Sequence, residues 1–165
     1  MITQRLSALE EAYIRPSPSG GHLGGVARGT YGAVKILEAA NFDVVLVETV
    51  GVGQSEIEVE SFVDFFLLLL PPGGGDELQG MKKGVVEVAD GIVVTKADGD
   101  LKSAAMMARN EYARALTLLS PKHLSWIPPV MTCSNVSNDG IDDIISMIDE
   151  FIKIMTVCFS SFVDR

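Results

Sequence analysis

Gly91-Ile92-Val93-Val94-Thr95-Lys96-Ala97-Asp98 is the stretch on which the fold turns. Its first five residues are apolar or β-branched without polar alternation, the composition of a strand covered on both faces. Such a strand belongs in a mostly parallel sheet with helices on both sides. The Thr-Lys-Ala-Asp that follows puts charge at the carboxyl end of the strand, where ligands sit in sheets of this kind. Outward from this stretch the same grammar repeats. Phe65–Leu70 is a second buried run and leads into Pro71-Pro72-Gly73-Gly74-Gly75. Val44–Val47 is another, ending in Glu48-Thr49-Val50-Gly51-Val52-Gly53, and Pro129–Cys133 is a fourth. Helical patterns alternate with them: Ala27–Ala40 stopped by Asn41, a turn or two over Gln54–Glu60, Leu78–Ala89, and Asp100–Leu119 closed by Pro121. In Asp100–Leu119 the apolar positions Ala105, Ala108, Tyr112, Ala115, Leu116 and Leu119 recur at helical intervals. After Gly140 a last helix carries Ile141, Ile144, Ile145, Ile148 and Ile152 along one stripe. Beyond Lys153 the apolar run continues without a cap and fits a strand or a helix end equally well. Ala12–Arg15 reads as a short extended piece ahead of a glycine-rich loop. The expected class is α/β, a mostly parallel sheet flanked by helices.

The chain has 165 residues, 47% hydrophobic and 21% charged, which suits one domain with a core of its own. It carries 22 Asp+Glu against 13 Lys+Arg, a formal charge of −9. That balance weighs against whole-surface binding of nucleic acid, which needs a basic face to neutralise phosphates. It weighs against an anionic membrane surface for the same reason. Cys133 and Cys158 lack metal spacing and give no disulfide framework, which points to a reducing compartment. Met1–Glu11 has no apolar run of the signal-peptide kind, and Phe65–Leu70 is far shorter than the roughly 20 residues of a spanning helix.

Three loops carry candidate chemistry. In Thr95-Lys96-Ala97-Asp98, the carboxylate of Asp98 can accept the N1 and N2 donors of guanine as a bidentate pair, which adenine does not offer. The methylene stem of Lys96 can lie along the purine face. The GTPase form of this motif is Asn-Lys-x-Asp, so Thr95 is a variant, and Lys-x-Asp also occurs in ordinary surface turns. In the second loop Glu48 ends a strand ahead of Gly51-x-Gly53. A carboxylate there can hold Mg²⁺ directly or through water, and the glycines let backbone approach a phosphate. A capped turn reads the same way. A Rossmann reading also competes, but Glu56 stands where its third glycine belongs. The third loop, Thr132-Cys133-Ser134-Asn135, can offer a backbone N–H to the purine O6. It is a weak signal alone. Their order raises the odds, with Lys96 placed 48 residues after Glu48. No Gly-x4-Gly-Lys-[Ser/Thr] phosphate loop occurs in the chain: Gly20/Gly25 is followed by Val26-Ala27, Gly24/Gly29 by Thr30-Tyr31 and Gly75/Gly80 by Met81-Lys82.

Several blocks taken together carry a resemblance. Tyr13-Ile14-Arg15-Pro16-Ser17-Pro18-Ser19, Leu23-Gly24-Gly25-Val26, Glu48–Glu56 and Leu68–Gly80 closely resemble the MeaB/MMAA/ArgK family of G-proteins, over about Ala12 to Ile148. Members act as chaperones of adenosylcobalamin-dependent methylmalonyl-CoA mutase. The resemblance implies a P-loop NTPase G domain, with GTP/GDP and Mg²⁺ as ligands and hydrolysis coupled to cofactor loading of the mutase. Residue by residue it implies Glu48 as the Mg²⁺ carboxylate, and Gly51, Gly53 and Gln54 as catalytic residues of the switch II loop. It implies Gly73–Gly84 as an additional switch segment, and Lys96, Asp98, Ser134 and Asn135 as the guanine-binding set. Asn135 replaces the usual alanine. Family members carry the Walker A loop before the matched segment and a C-terminal dimerisation arm after it. The expectation is therefore a partial G domain over residues 1–153 lacking the Walker A segment, a non-family tail over 154–165, and no hydrolysis by this chain alone. The family is homodimeric, and the expected compartment is the cytoplasm in a bacterium or the mitochondrial matrix in a eukaryote. The alternative is a non-catalytic interaction module that keeps the switch surface. His22 reads as solvated, His123 as structural, Met106-Met107 as helix core or flank, and Cys133 as a small apolar strand-end residue.

Overall fold

Two units make up the chain, Met1–Val59 and Glu60–Arg165, and each is described by itself. The computed structural model describes residues 6–9, 11–16, 29–49, 55–73 and 83–163. In the larger unit three strands, β1 (Leu67–Leu70), β2 (Gly91–Val94) and β3 (Val130–Thr132), form a parallel sheet in the order β1-β2-β3. Leu67 faces Gly91 in the first ladder and Ile92 faces Val130 in the second. The described helices are α1 (Thr30–Ala39), α2 (Ser55–Glu60), α3 (Lys83–Val88), α4 (Lys102–Leu116) and α5 (Ile141–Val163). Among the described residues no helix is long and apolar enough to cross a membrane.

β2 is the central strand, and every residue in it is buried. Its side chains divide by the two-residue period of a strand. Ile92 and Val94 join Val85, Val86 and Ala89 around α3 and Ala105, Ala108 and Tyr112 of α4. Val93 points the other way, into a cluster with Trp126, Cys133 and Ile144, Met147 and Phe151 of α5. Both crossovers, β1-α3-β2 and β2-α4-β3, step in one direction across the sheet. A common handedness then puts α3 and α4 on the same face, and among the described helices α5 covers the other. Fully burying Ile92, Val93 and Val94 contributes roughly 1.5–3 kcal/mol per side chain. The uniform apolar composition of Gly91–Thr95 thus reflects its position between two layers.

α5 settles the segment after Lys153. The helix runs without a break to Val163, so the apolar tail is helical. Its sheet-facing stripe, Ile144, Met147 and Phe151, continues into the partly buried Ile154 and Met155.

The amino ends of the strands meet at a buried carboxylate. Asp90, 2% exposed, accepts the N–H of Phe66 at 2.9 Å and pairs with Lys122 at 3.0 Å and His123 at 3.0 Å. Trp126 Nε1–H donates to the Asp90 carbonyl at 2.7 Å, and Lys122 also pairs with Glu60 at 2.8 Å. Trp126, His123 and Phe65 each meet Phe151 in an edge-to-face contact. His123 is accordingly part of the structural frame.

In the smaller unit, α1 ends where Asn41 stops it. Asn41 is left-handed at φ 60°, its N–H reaches the Glu38 carbonyl at 3.0 Å, and Phe42 N–H reaches the Leu37 carbonyl at 3.2 Å. That pair of bonds is a Schellman cap, which asparagine tolerates better than other side chains. The expected strand Val44–Val47 is a correction. The segment forms no strand, and Val44 and Leu46 are 72% and 90% exposed. Its composition is right for a buried strand, but a strand exists only with a ladder partner. The described residues of this unit contain no other strand to supply one.

Candidate functional site

The carboxyl ends of β2 and β3 place two loops side by side. Thr95 leaves β2 and is tied to the end of β1: its N–H and its hydroxyl both donate to the Leu70 carbonyl, at 2.8 and 3.1 Å. Lys96 follows in the left-handed region at φ 56°. A non-glycine residue there carries backbone strain of about 1–3 kcal/mol, which surrounding structure must hold in place. The holding bonds are visible. Ala97 N–H donates to the Cys133 carbonyl at 2.9 Å, and Cys133 N–H donates to the Val94 carbonyl at 2.9 Å. The turn leaves the Lys96 side chain exposed.

Asp98 is extended at φ −133° and stands at the N-cap position of the short 3-10 turn Gly99–Leu101, yet its carboxylate makes no capping bond there. The Ser134 hydroxyl donates to Asp98 Oδ2 instead. Asp98 Oδ1 has no partner among the described residues, and the side chain is half-buried. A carboxylate that could cap its own helix end is instead held by a serine from another loop, with its other oxygen left without a partner among the described residues.

Ser134 is fully buried. Its hydroxyl oxygen accepts the N–H groups of Val136 and Ser137, at 3.1 and 3.2 Å. Its own N–H donates to the Asp139 carbonyl at 3.0 Å. The Asn135 N–H has no partner among the described residues, and Asn135 is exposed at the loop's tip. Burial pushes the neighbouring Cys133 thiol above its ordinary value.

The structure therefore brings together Lys96, Asp98, Ser134 and Asn135 on one edge of the larger unit. Glu48 belongs to the smaller unit, where its side chain is exposed. Gly51, Gly53 and Gln54 lie outside the described residues, as does most of Gly73–Gly84. Among the described residues no group of three or more His, Cys, Asp or Glu side chains could hold a metal ion. Two contributors escape a sequence reading: the hydroxyl of Thr95, which sequence presents only as a departure from asparagine, and Asp139, whose carbonyl engages Ser134. For Thr95 the usable signal is position, a hydroxyl at the last residue of a buried strand.

The family described as methylmalonyl Co-A mutase-associated GTPase MeaB matches residues 1–161. The chain is 54% identical over 153 residues to a putative GTPase of Caulobacter vibrioides, covering 93% of this chain and 47% of that protein. It is 50% identical over 151 residues to the GTPase ArgK of Escherichia coli, covering 92% of this chain and 46% of that protein. It is also 50% identical to the mitochondrial methylmalonic aciduria type A homolog of Mus musculus, covering 88% of this chain and 35% of that protein. Among solved structures, an LAO/AO transport system kinase superposes with a TM-score of 0.82 at 42% identity, covering 94% of this chain and 48% of that one. The chain thus spans about a third to a half of the length of these relatives.

Proposed function

Because this chain belongs to the MeaB family of methylmalonyl Co-A mutase-associated GTPases, we propose that the loops after β2 and β3 read the base of a guanine nucleotide. The observation that carries the proposal is Asp98, held through Oδ2 by Ser134 while Oδ1 stays without a partner among the described residues. In this reading the Asp98 carboxylate accepts the two guanine donors N1–H and N2–H. A base lacking that donor pair leaves the carboxylate unmatched, and a site's unpaired polar group is a strong source of discrimination. The Lys96 stem lies along the purine and its ammonium stays in water. The Asn135 N–H is the donor available to O6.

Glu48 fits a Mg²⁺ role by its chemistry: one exposed hard-oxygen ligand, suited to an ion that takes its remaining ligands from water and phosphate. When bound, Mg²⁺ would screen phosphate charge. Gly51, Gly53 and Gln54 are proposed for the hydrolytic step, and the family description supports a mutase of the methylmalonyl-CoA type as partner. The 165 residues hold no Gly-x4-Gly-Lys-[Ser/Thr]. Catalysis of phosphoryl transfer is mostly positioning and charge neutralisation at the phosphates, so this chain by itself is expected to give no turnover of GTP. Multiple turnovers by the purified chain would contradict that.

The test of base reading is a pair of competition titrations, GTP against XTP. They are run on the 165-residue chain and on a form preceded by a phosphate-loop segment from a relative. Asp98→Asn should cost GTP about 2–4 kcal/mol and shift preference towards XTP, because an amide N–H₂ can face the C2 carbonyl of xanthine. Glu48→Gln should weaken Mg²⁺ dependence and leave the GTP/XTP ratio alone. An unchanged ratio in Asp98→Asn removes Asp98 as the base reader.

A further inference from the structure

The segment Ser134–Gly140 closes on itself. Ser134 N–H donates to the Asp139 carbonyl at 3.0 Å, and Ser137 Oγ–H donates to Asp139 Oδ2 at 2.7 Å. The Ser134 hydroxyl oxygen receives the N–H groups of Val136 and Ser137. A serine hydroxyl has one proton and two lone pairs. Both lone pairs are engaged from within the turn, so the proton has one direction left, and it goes to Asp98 Oδ2.

Gly140 seats this turn against β3. Its φ is +76°, and a Cβ there would run into the Thr132 carbonyl oxygen and lie 3.4 Å from the Cys133 Cα. Those are backbone atoms at the end of β3 and cannot swing aside as a side chain would. The same backbone carries the Cys133 carbonyl that takes Ala97 N–H at 2.9 Å. The close approach at Gly140 therefore reaches the Lys96–Asp98 turn by two routes, through Ala97 and through Ser134.

We propose that Ser137, Asp139 and Gly140 are positioning residues for the base-reading carboxylate: they fix Ser134, and Ser134 aims Asp98. The inference rests on the guanine reading above and deepens it. Ser137 and Asp139 are exposed, so their bond contributes little to overall stability. Its consequence is the direction of the Ser134 hydroxyl.

The experiment uses the full chain and the variants Asp139→Ala, Asp139→Asn, Ser137→Ala and Gly140→Ala. Three quantities are read: the GTP/XTP competition ratio, amide exchange at Ala97, Val136 and Ser137, and the unfolding midpoint. Asp139→Ala and Ser137→Ala should lower the guanine preference roughly tenfold, as expected when a recognising polar group is misdirected. They should also speed exchange at all three amides or, for Ser137→Ala, at Val136 and Ala97, with little change in midpoint. Asp139→Asn should restore both readouts, since its amide oxygen still accepts from Ser137. Gly140→Ala should do more damage than either, and if it fails to fold the exposed Asp139 variants decide. A wild-type ratio and wild-type exchange in Asp139→Ala overturn the proposal, and so does a shifted midpoint with an unchanged ratio. If neither the unmodified chain nor the form preceded by a phosphate-loop segment shows a guanine preference, the guanine reading itself fails. Ala97 exchange in Asp139→Ala then decides the linkage: faster exchange sustains it and unchanged exchange overturns it.

Discussion

Two aspartates stand at opposite ends of β2, and they are used in opposite ways. Asp90, at the amino end, is 2% exposed and saturated: it has a backbone N–H, a lysine and a histidine on its carboxylate and a tryptophan on its carbonyl. Asp98, past the carboxyl end, is half-buried and holds one serine hydroxyl. The same side chain thus closes one end of the sheet and leaves the other end open. A carboxylate with every lone pair engaged inside the protein fixes the fold. One held on a single oxygen, and making no bond to the helix end it could cap, keeps acceptor capacity in reserve.

Alanine substitution should separate the two aspartates most sharply. Asp90→Ala leaves Lys122, His123 and the Phe66 N–H facing a buried void, and should cost about 3–5 kcal/mol, the range for removing one partner of a buried charge pair. Asp98→Ala removes only an acceptor for Ser134 and should cost roughly 1 kcal/mol of stability, its larger effect falling on nucleotide choice. Urea unfolding of both variants measures this. Equal losses would mean that Asp98 is as structural as Asp90.

This asymmetry was only half legible in the sequence. Asp98 stands out in the sequence because its signal is local: a lysine two residues before it and a buried strand before that. The chemistry of Asp90 is not local. Its partners lie 24 residues away at Phe66 and 33 at His123, and in the sequence it is merely the acid of Ala89-Asp90-Gly91. The three paired strands could be read because double burial removes alternation, leaving a pure apolar run. Val44–Val47 has the same run and no ladder, because composition records what a strand is suited to and not whether a neighbour is present. Asn41 was legible as a helix stop, since a left-handed cap is a property of the residue itself. The segment after Lys153 was not, because its stripe becomes helical only when counted back through Phe151 and Met147 to the sheet.

A smaller effect sharpens the saturated end. Trp126→Phe keeps an aromatic ring for the edge contact with Phe151, whose centroid is 5.2 Å away. It removes the Nε1–H bond to the Asp90 carbonyl and should cost roughly 1–3 kcal/mol, the penalty for a buried acceptor left unpaired. Its GTP/XTP ratio should match that of the unmodified chain. A changed ratio would tie the two ends of the sheet together energetically and break the division between them.

The smallest effect uses Cys133 as a reporter of the open end. The residue is 8% exposed at the close of β3, next to Ser134, and burial raises the thiol pKa above the ordinary 9.0. Thiolate is the reactive form, so at pH 8 iodoacetamide should label Cys133 at least several-fold more slowly than the half-buried Cys158. The sign of the pH effect on stability follows from the same shift. The folded chain holds the thiol proton more tightly than the unfolded chain, so this contribution is complete below pH 9.0. It is lost as pH rises, because the unfolded thiol ionises first. Between about pH 8 and 10 the unfolding midpoint should therefore fall slightly further for the unmodified chain than for Cys133→Ala. Asp98→Ala, which frees the Ser134 hydroxyl from its acceptor, should speed Cys133 labelling, whereas Trp126→Phe should leave it unchanged. Equal labelling in both variants would show that the carboxyl-end loops are held by the sheet alone and that Asp98 contributes nothing to their closure.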